Sequence, residues 1–327
     1  AAAGAYNVQL RVASPSTSHV DVTIGSSTTR FAVANTGGWQ AWTNVVMPMT
    51  LAAGQQVMTV TFPVGNVNLR SIDVTAQPDV PTEFPTGGTF RMITWNVHHG
   101  KNKSNVLNVP SQAGFLATQK PDVIVLQEVQ TWDQNQPSMF ETELERLTGK
   151  NWTRVWAPVT ASAGTEGNLV LTHLPVSSWS TFQMHATTNY TAIGPNRSAA
   201  QATVSVGGLP VHVFSTHLDY ANSTYRTAQL LDLMEWLPRF SGRQIVGGDF
   251  NATPGTYWIN TMMSEYYDTW QDITGSASGG GTINGVRFDY LFRGKLAADF
   301  IHPTSVKVLT TSLSDHYAVM ADYTVRP

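Results

Sequence analysis

Pro121-Asp122-Val123-Ile124-Val125-Leu126-Gln127-Glu128 is the stretch on which the reading of the fold turns. Four consecutive apolar residues read as a strand, and the strand runs out into a carboxylate. Upstream, Arg91-Met92-Ile93-Thr94-Trp95-Asn96-Val97 is a second strand of the buried type, and a helical stretch near 111–119 separates the two. Downstream, strands are expected at 168–172, 199–206, 210–216, 244–247 and 317–325, and helices at 138–147, 224–237 and 256–263. Strands and helices intermixed, with apolar runs of this kind, indicate an α/β or α+β sandwich. The chain shows no internal repeat and no coiled-coil heptad.

Strand ends in this region repeatedly finish in groups that bind metal or move protons. Glu128 ends the quoted strand. Ser215-Thr216-His217 ends in an imidazole, and Ile245-Val246-Gly247-Gly248-Asp249-Phe250-Asn251 ends in Asp-x-Asn. Phe288-Asp289-Tyr290 sets an Asp inside an apolar strand, and Ser314-Asp315-His316 closes the series. Rigid strands hold loop-borne catalytic groups in place, so such groups gather at strand ends. Any one of these residues alone reads as a solvated turn carboxylate or a hydrogen-bonded surface His. Their number and order carry the signal.

The order resembles that of the endonuclease/exonuclease/phosphatase superfamily. The resemblance rests on Trp95–His98, Pro121–Glu128, Gly167–Thr172, Ser215–Leu218, Gly248–Pro254, Arg287–Phe292 and Ser314–Val319, and spans residues 89–327. Seven motifs in sequence are far more specific than one short match. The resemblance implies a four-layer α/β (α+β) sandwich with two packed, mostly antiparallel β-sheets. It also implies metal-dependent hydrolysis of a phosphoester. That chemistry needs a cation on the phosphate, an activated water in line and help for the leaving oxygen.

The resemblance further implies roles. Glu128 is the principal metal carboxylate, with Asn96 and Asp315 binding the metal directly or through water. Asp249 positions or deprotonates the attacking water, and Asn251 supports the water or the phosphate. His316 contacts the phosphate, and Asp289 holds its imidazole in one tautomer. His217 hydrogen-bonds the phosphate or protonates the leaving group. Arg197 and His98 are candidate substrate contacts, each weighed against a plain structural role. Oxygen ligands suit Mg2+ or Mn2+, and a structural Ca2+ is a further candidate ion.

Residues 1–77 read differently. Tyr6–Val12, Val20–Ile24 and Val57–Phe62 alternate apolar and polar, the period of half-buried strands, and turn clusters such as Gly25-Ser26-Ser27 separate them. A small all-β sandwich is expected. Thr36-Gly37-Gly38-Trp39-Gln40-Ala41-Trp42 and Asn66–Val74 resemble the later part of the carbohydrate-binding modules of xylanase-type hydrolases. In those modules the Trp stacks on a sugar and the Asn hydrogen-bonds it; here these are Trp39 and Asn68. Earlier strands of such modules have no counterpart in this sequence, so a truncated form is expected. Residues 78–88, rich in Pro and Gly, read as the linker, and the catalytic domain as 89–327.

Composition narrows the function. The chain has no cysteine, which excludes disulfides, thiolate zinc sites and a Cys nucleophile. Charged residues are only 13% against 42% hydrophobic, so the surface leans on uncharged polar groups, a balance that points to an extracellular, secreted protein. Residues 1–77 carry Arg11, Arg30 and Arg70 against Asp21 and Asp73, net +1, leaving −4 of the total −3 on the rest. No basic stripe marks tight nucleic-acid binding, although a bound metal can offset phosphate charge locally. No apolar run is long enough to span a membrane. The expected function is a secreted phosphodiesterase or nuclease acting on nucleic acid, a phospholipid or a phosphoglycan, as a monomer, with polysaccharide bound by the first module. The alternatives are a sphingomyelinase-like or sugar/inositol phosphate phosphoesterase and a non-catalytic carbohydrate-binding protein.

Overall fold

The computed structural model describes residues 2–76, 86–159, 165–184, 187–188, 191–192 and 197–327. It divides into two compact units, Ala1–Phe84 and Pro85–Pro327.

The first unit consists of β1 (Gly4–Ala13), β2 (Ser18–Ile24), β3 (Ser27–Val33), β4 (Thr43–Leu51), β5 (Met58–Thr61) and β6 (Asn68–Ala76). They form two antiparallel three-stranded sheets, ordered β4-β1-β6 and β3-β2-β5. Strand alternation builds the core. Val8, Leu10 and Val12 are fully buried on β1, while Asn7, Gln9 and Arg11 between them are not. Val20, Val22, Phe31 and Val33 complete the packing from the other sheet. The stretch 57–62 departs from its expected half-buried alternation. β5 is four residues long, only Val60 is partly buried, and Val57 is largely exposed, because β5 pairs along just one edge of β2.

The second unit runs β7 (Gly88–Asn96), α1 (Val109–Thr118), β8 (Val123–Gln130), α2 (Gln136–Thr148), β9 (Thr153–Pro158), β10 (Glu166–Thr172), β11 (Val176–Met184), the two-residue strands β12 (Thr187–Thr188) and β13 (Thr191–Ala192), β14 (Arg197–Val206), β15 (Leu209–His217), α3 (Ser223–Trp236), β16 (Gln244–Asp249), α4 (Tyr257–Glu265), β17 (Tyr266–Asp268), α5 (Thr269–Thr274), β18 (Asp289–Gly294), β19 (Ile301–Leu309) and β20 (Ala318–Val325). Two six-stranded sheets result, ordered β19-β20-β7-β8-β10-β9 and β11-β14-β15-β16-β18-β17. Each has one parallel pair at its middle, β7–β8 and β15–β16, and antiparallel neighbours elsewhere. The expected linker over 78–88 needs correcting at its end. Residues 77–85 lie outside the described residues, but Gly88 is already a strand residue, paired with Val325.

The inner faces of the two sheets share one apolar layer. Met92, Val123, Val125 and Val170 come from one sheet, and Ala202, Val213, Ile245 and Leu291 from the other. Gly247 shows how closely they approach: a Cβ there would lie 2.6 Å from Val125 Cγ2 and 3.1 Å from Thr94 Cβ. On the outer face of the first sheet, α1 and α2 pack over Ile93, Trp95, Ile124 and Leu126. On the outer face of the second, α3 and α4 pack over Phe214, Val246 and Phe292. Helix, sheet, sheet, helix is the four-layer sandwich the sequence resemblance implied. Residues in 153–158, 176–184 and 301–309 form strands that their apolar patterning did not indicate. They lie at or next to sheet edges, where β11 and β19 are buried along one side at most.

Candidate active site

Strand register assembles the site. In the second sheet His217 pairs with Asp249 and Asp249 with Asp289, so the ladder itself sets the three in one row across β15, β16 and β18. In the first sheet Asn96 pairs with Gln127, one residue before Glu128. Asp289 therefore opens β18 rather than lying inside it, because only the first position of that strand reaches the row. Between the sheets Gln127 Nε2 donates to Ser215 Oγ at 3.1 Å, and Ser215 Oγ donates to the Leu126 carbonyl at 3.0 Å. These bonds pin central strands of the two sheets together beneath the site.

Glu128 is aimed by a bulge. The β8–β10 register shifts between Gly167 and Leu169, so Gln127 and Glu128 oppose Asn168 alone. Glu128 takes a φ of 55° there. Asn251, His98 and His99 also have positive φ, at 48°, 49° and 55°. Half of the eight described non-glycine residues with left-handed backbone thus cluster here, a concentration of local strain expected of functional sites.

The side chains converge. Asn96 Nδ2 donates to Glu128 Oε1 at 2.9 Å and to Asp249 Oδ2 at 3.1 Å, joining the two sheets' carboxylates. The Asn251 backbone N–H donates to Asp249 Oδ1 at 2.9 Å. Asn251 Nδ2 donates to the Leu218 carbonyl at 3.0 Å and stands 3.1 Å from His217 Nε2. His316 Nδ1 pairs with Asp289 Oδ2 at 2.8 Å, leaving Nε2 3.8 Å from Asp249 Oδ2. Ser314 Oγ donates to the Asn96 carbonyl at 2.7 Å and accepts from the His316 N–H at 3.2 Å, which ties the loop before β20 to the end of β7.

Burial and charge then tune the groups. Burial pushes the Asp249 carboxyl up from its ordinary range, and the Asp289 carboxylate adds to this. His316, the Asn251 N–H and the Asn96 amide pull the other way. Burial opposes the charged form of His316, but Asp289, Asp249 and Asp315 outweigh it and raise the imidazole to about 10. His217 is pushed well below 6.5, first by burial and then by Arg197, His316 and His99. The site therefore holds one imidazole kept charged and one kept neutral, the kind of divergence that marks proton-handling sites.

Some expected contributors stand further out. Asp315 is half-exposed, its carboxylate 3.3 Å from Ser314 Oγ and 3.8 Å from His98 Nδ1. His98 lies past the end of β7 at Asn96, in a 3-10 turn over His98–Gly100. It is His99 whose Nε2 lies 3.4 Å from Glu128 Oε2. Arg197 is buried, with its Nη1 donating to Glu166 Oε1 at 2.9 Å. Glu166 is the residue that sequence reasoning passed over. It opens β10 as an ordinary charged residue, and no local motif marks it.

The donor set fits a hard divalent cation. Glu128, Asp315 and Asn96 offer oxygen donors, and the Asn96 amide N–H pair is drawn toward the Glu128 and Asp249 carboxylates, marking concentrated negative potential. Asp249, Asp289 and His316 also bring three ligand-type atoms within 4.8 Å of one another. His316 Nδ1 and Asp289 Oδ2 already bond each other, so this trio reads better as a proton-handling group. Among the described residues no other trio of His, Asp or Glu brings its ligand atoms all within 4.8 Å of one another.

Comparison with known proteins agrees with the architecture. The profile of the Endonuclease/Exonuclease/phosphatase family matches residues 93–316, and the chain belongs to that family. The profile of the Carbohydrate binding module (family 6) matches residues 1–76. No curated protein matches the sequence. Among solved structures, the chain is similar to an endonuclease/exonuclease/phosphatase from Beutenbergia cavernae DSM 12333, with 22% identity, a TM-score of 0.60, and coverage of 73% of this chain and 72% of that one. It is similar to the human Nocturnin catalytic domain at 19% identity and a TM-score of 0.59, covering 72% and 94%. It is also similar to a mannosyl-6-phosphatase of Bacteroides thetaiotaomicron VPI-5482 at 12% identity and a TM-score of 0.55, covering 72% and 99%. At these identities the likeness speaks for the fold.

In the first unit Trp39 is about half exposed, and its carbonyl accepts a hydrogen bond from Asn68 Nδ2 at 2.9 Å. A cavity of about 340 Å³ in this unit is lined by Ala34, Asn35, Thr36, Ala41, Trp42 and Thr43. Arg70 lies 5.8 Å above the Trp42 ring.

Proposed function

We propose that the second unit is a divalent-metal-dependent phosphodiesterase of nuclease type, that the protein acts outside the cell, and that the first unit binds polysaccharide. The observation that carries the catalytic reading is the meeting of Asn96, Glu128 and His316, from the strands and loops of one sheet, with His217, Asp249, Asn251 and Asp289 from the other. Glu128, Asn96 and Asp315 would hold magnesium or manganese, and the cation supplies neutralisation of phosphate charge and polarisation of the P–O bonds.

The chain's own residues account for the rest. Asp249, buried and facing both imidazoles, orients a water and takes its proton. Its raised affinity for protons makes it a better base than an exposed carboxylate. The backbone N–H of Asn251 and the Asn96 amide hold the Asp249 carboxylate in one orientation. His316 stays protonated through Asp289 and presents Nε2–H as a charged donor to phosphate oxygen.

A second reading has its own support. The guanidinium of Arg197 is paired with Glu166, so it is not a free cation for a nucleic-acid backbone. Together with the carbohydrate-binding profile, this favours a phosphorylated glycan as the alternative substrate. A panel of duplex DNA, single-stranded RNA, sphingomyelin, sugar phosphates and an aryl phosphodiester, each with Mg2+, Mn2+ and chelator, decides between them. Metal-dependent cleavage that drops by at least about a thousandfold in Asp249→Ala is the expected result. Cleavage that survives in this variant removes the mechanism, and the substrate cleaved selects the reading.

A further inference from the structure

Polar contacts close a circuit around the site. Glu128 Oε2 stands 3.4 Å from His99 Nε2, and His99 Nδ1 stands 3.6 Å from Glu166 Oε2. Glu166 Oε1 accepts from Arg197 Nη1 at 2.9 Å. The same Nη1 reaches His217 Nδ1 at 3.4 Å, and His217 Nε2 lies 3.6 Å from Asp249 Oδ2. Asn96 Nδ2, bonded to both Asp249 and Glu128, completes the loop.

His217 is the one member whose two nitrogens both face donors. Arg197 Nη1 is on the Nδ1 side and Asn251 Nδ2 on the Nε2 side. A neutral imidazole accepts at one nitrogen only, so one contact must give way. A protonated Nδ1 would point its hydrogen at a guanidinium that has no lone pair to offer. A protonated Nε2 faces Asp249 Oδ2, an acceptor, and the Asn251 amide keeps its bond to the Leu218 carbonyl. A hydrogen bond from a charged donor is also about twice as strong as one from a neutral amide.

We propose that Arg197, anchored by Glu166, is a positioning residue that fixes His217 as a neutral imidazole with a bare Nδ1 and a protonated Nε2. His217 is then a hydrogen-bond donor on the Asp249 side of the site and not a proton source for the leaving group. The two hydrogens on Nη1 serve Glu166 and His217 separately. Only 8% of the Arg197 side chain is exposed, which leaves little of it for a substrate. The depressed proton affinity of His217 agrees, since an imidazole beside a guanidinium and out of water resists a second proton. The kinetic consequence rests on the phosphoesterase reading; the tautomer does not.

The test reads the ring directly. The full chain, labelled with 15N and free of added metal, is examined near neutral pH by long-range 1H–15N imidazole correlation. The His217 signals are identified by their loss in His217→Gln. The expected result is an unprotonated Nδ1 and a protonated Nε2. A protonated Nδ1, or an imidazolium, overturns the proposal. Arg197→Met should blur this preference and lower kcat on bis(p-nitrophenyl) phosphate roughly 10- to 100-fold, as loss of an imidazole's orienting partner does, and Arg197→Lys should recover part of it. A rise in KM with kcat and the His217 signals unchanged would instead make Arg197 a phosphate contact and overturn the proposal. If Arg197→Met does not fold, the wild-type spectrum decides alone. A chain that shows the expected tautomer but cleaves no phosphoester refutes the function and leaves the inference standing.

Discussion

His316 and Asp289 show how much one buried pair shapes the site. The imidazole is nearly buried, yet it holds its proton to about 10 because Asp289 and Asp249 face it. Its proton affinity is thus raised above the unfolded value near 6.5. The pair's stabilisation is fully present below about 6.5 and is lost as pH rises through about 10. Asp289→Asn removes the charge while keeping the shape, and should cost roughly 3 kcal/mol near neutral pH. Chemical denaturation of both proteins across pH checks this: the stability gap should shrink as pH rises through about 10. A gap independent of pH would mean that the charge of His316 is not what the pair supplies.

Strands matter here through register more than through propensity. His217, Asp249 and Asp289 are neighbours because β15, β16 and β18 pair with no shift along this row. Gly248 protects that alignment. A Cβ at Gly248 would lie 2.2 Å from the Thr216 carbonyl oxygen, a backbone atom of the neighbouring strand that cannot turn aside. Gly248→Ala should therefore destabilise by about 1–3 kcal/mol and move His217 relative to Asp249. A fall in thermal midpoint, accompanied by a loss of hydrolysis larger than unfolding explains, is the expected pair of readings. An unchanged midpoint would show that β15 and β16 separate without cost. Alternation is valid only while the strand lasts, and β7 ends at Asn96, so His99 rather than His98 approaches Glu128.

At the scale of the molecule, two units each own a core, one around Val8, Leu10 and Phe31 and the other between two six-stranded sheets. Division of labour follows if the first unit is the sugar-binding one. Trp39→Ala should leave that core intact, because Trp39 is about half exposed and not among the residues that form it. It should weaken retention on insoluble xylan or cellulose by more than about tenfold, in line with loss of an aromatic stacking platform. Phosphodiester hydrolysis of a small soluble substrate should stay unchanged. Affinity electrophoresis in polysaccharide-containing gels, run beside the hydrolysis assay, measures both. Retention that survives in Trp39→Ala would move the binding face elsewhere on the module or remove it.

Sequence alone determined the strands that are buried on both faces, because their apolar runs are local and unbroken, as in 123–126 and 244–247. It also determined the order of the chemical groups, since Asn96, Glu128, His217, Asp249, Asn251, Asp289, Asp315 and His316 each sit in a short recognisable motif. Edge strands such as β9, β11 and β19 stayed hidden, because a strand packed on one side needs only weak apolar patterning. Tertiary structure decided which groups touch. Asp289 meets His316 across 27 residues, and Asn96 meets Asp249 across 153. No local pattern encodes such contacts; they follow from sheet register and from the packing of two sheets on a shared apolar layer. The same holds for Glu166. On its strand it is an ordinary charged residue, and only the folded chain sets it between His99 and Arg197, where the polarity of His217 is settled.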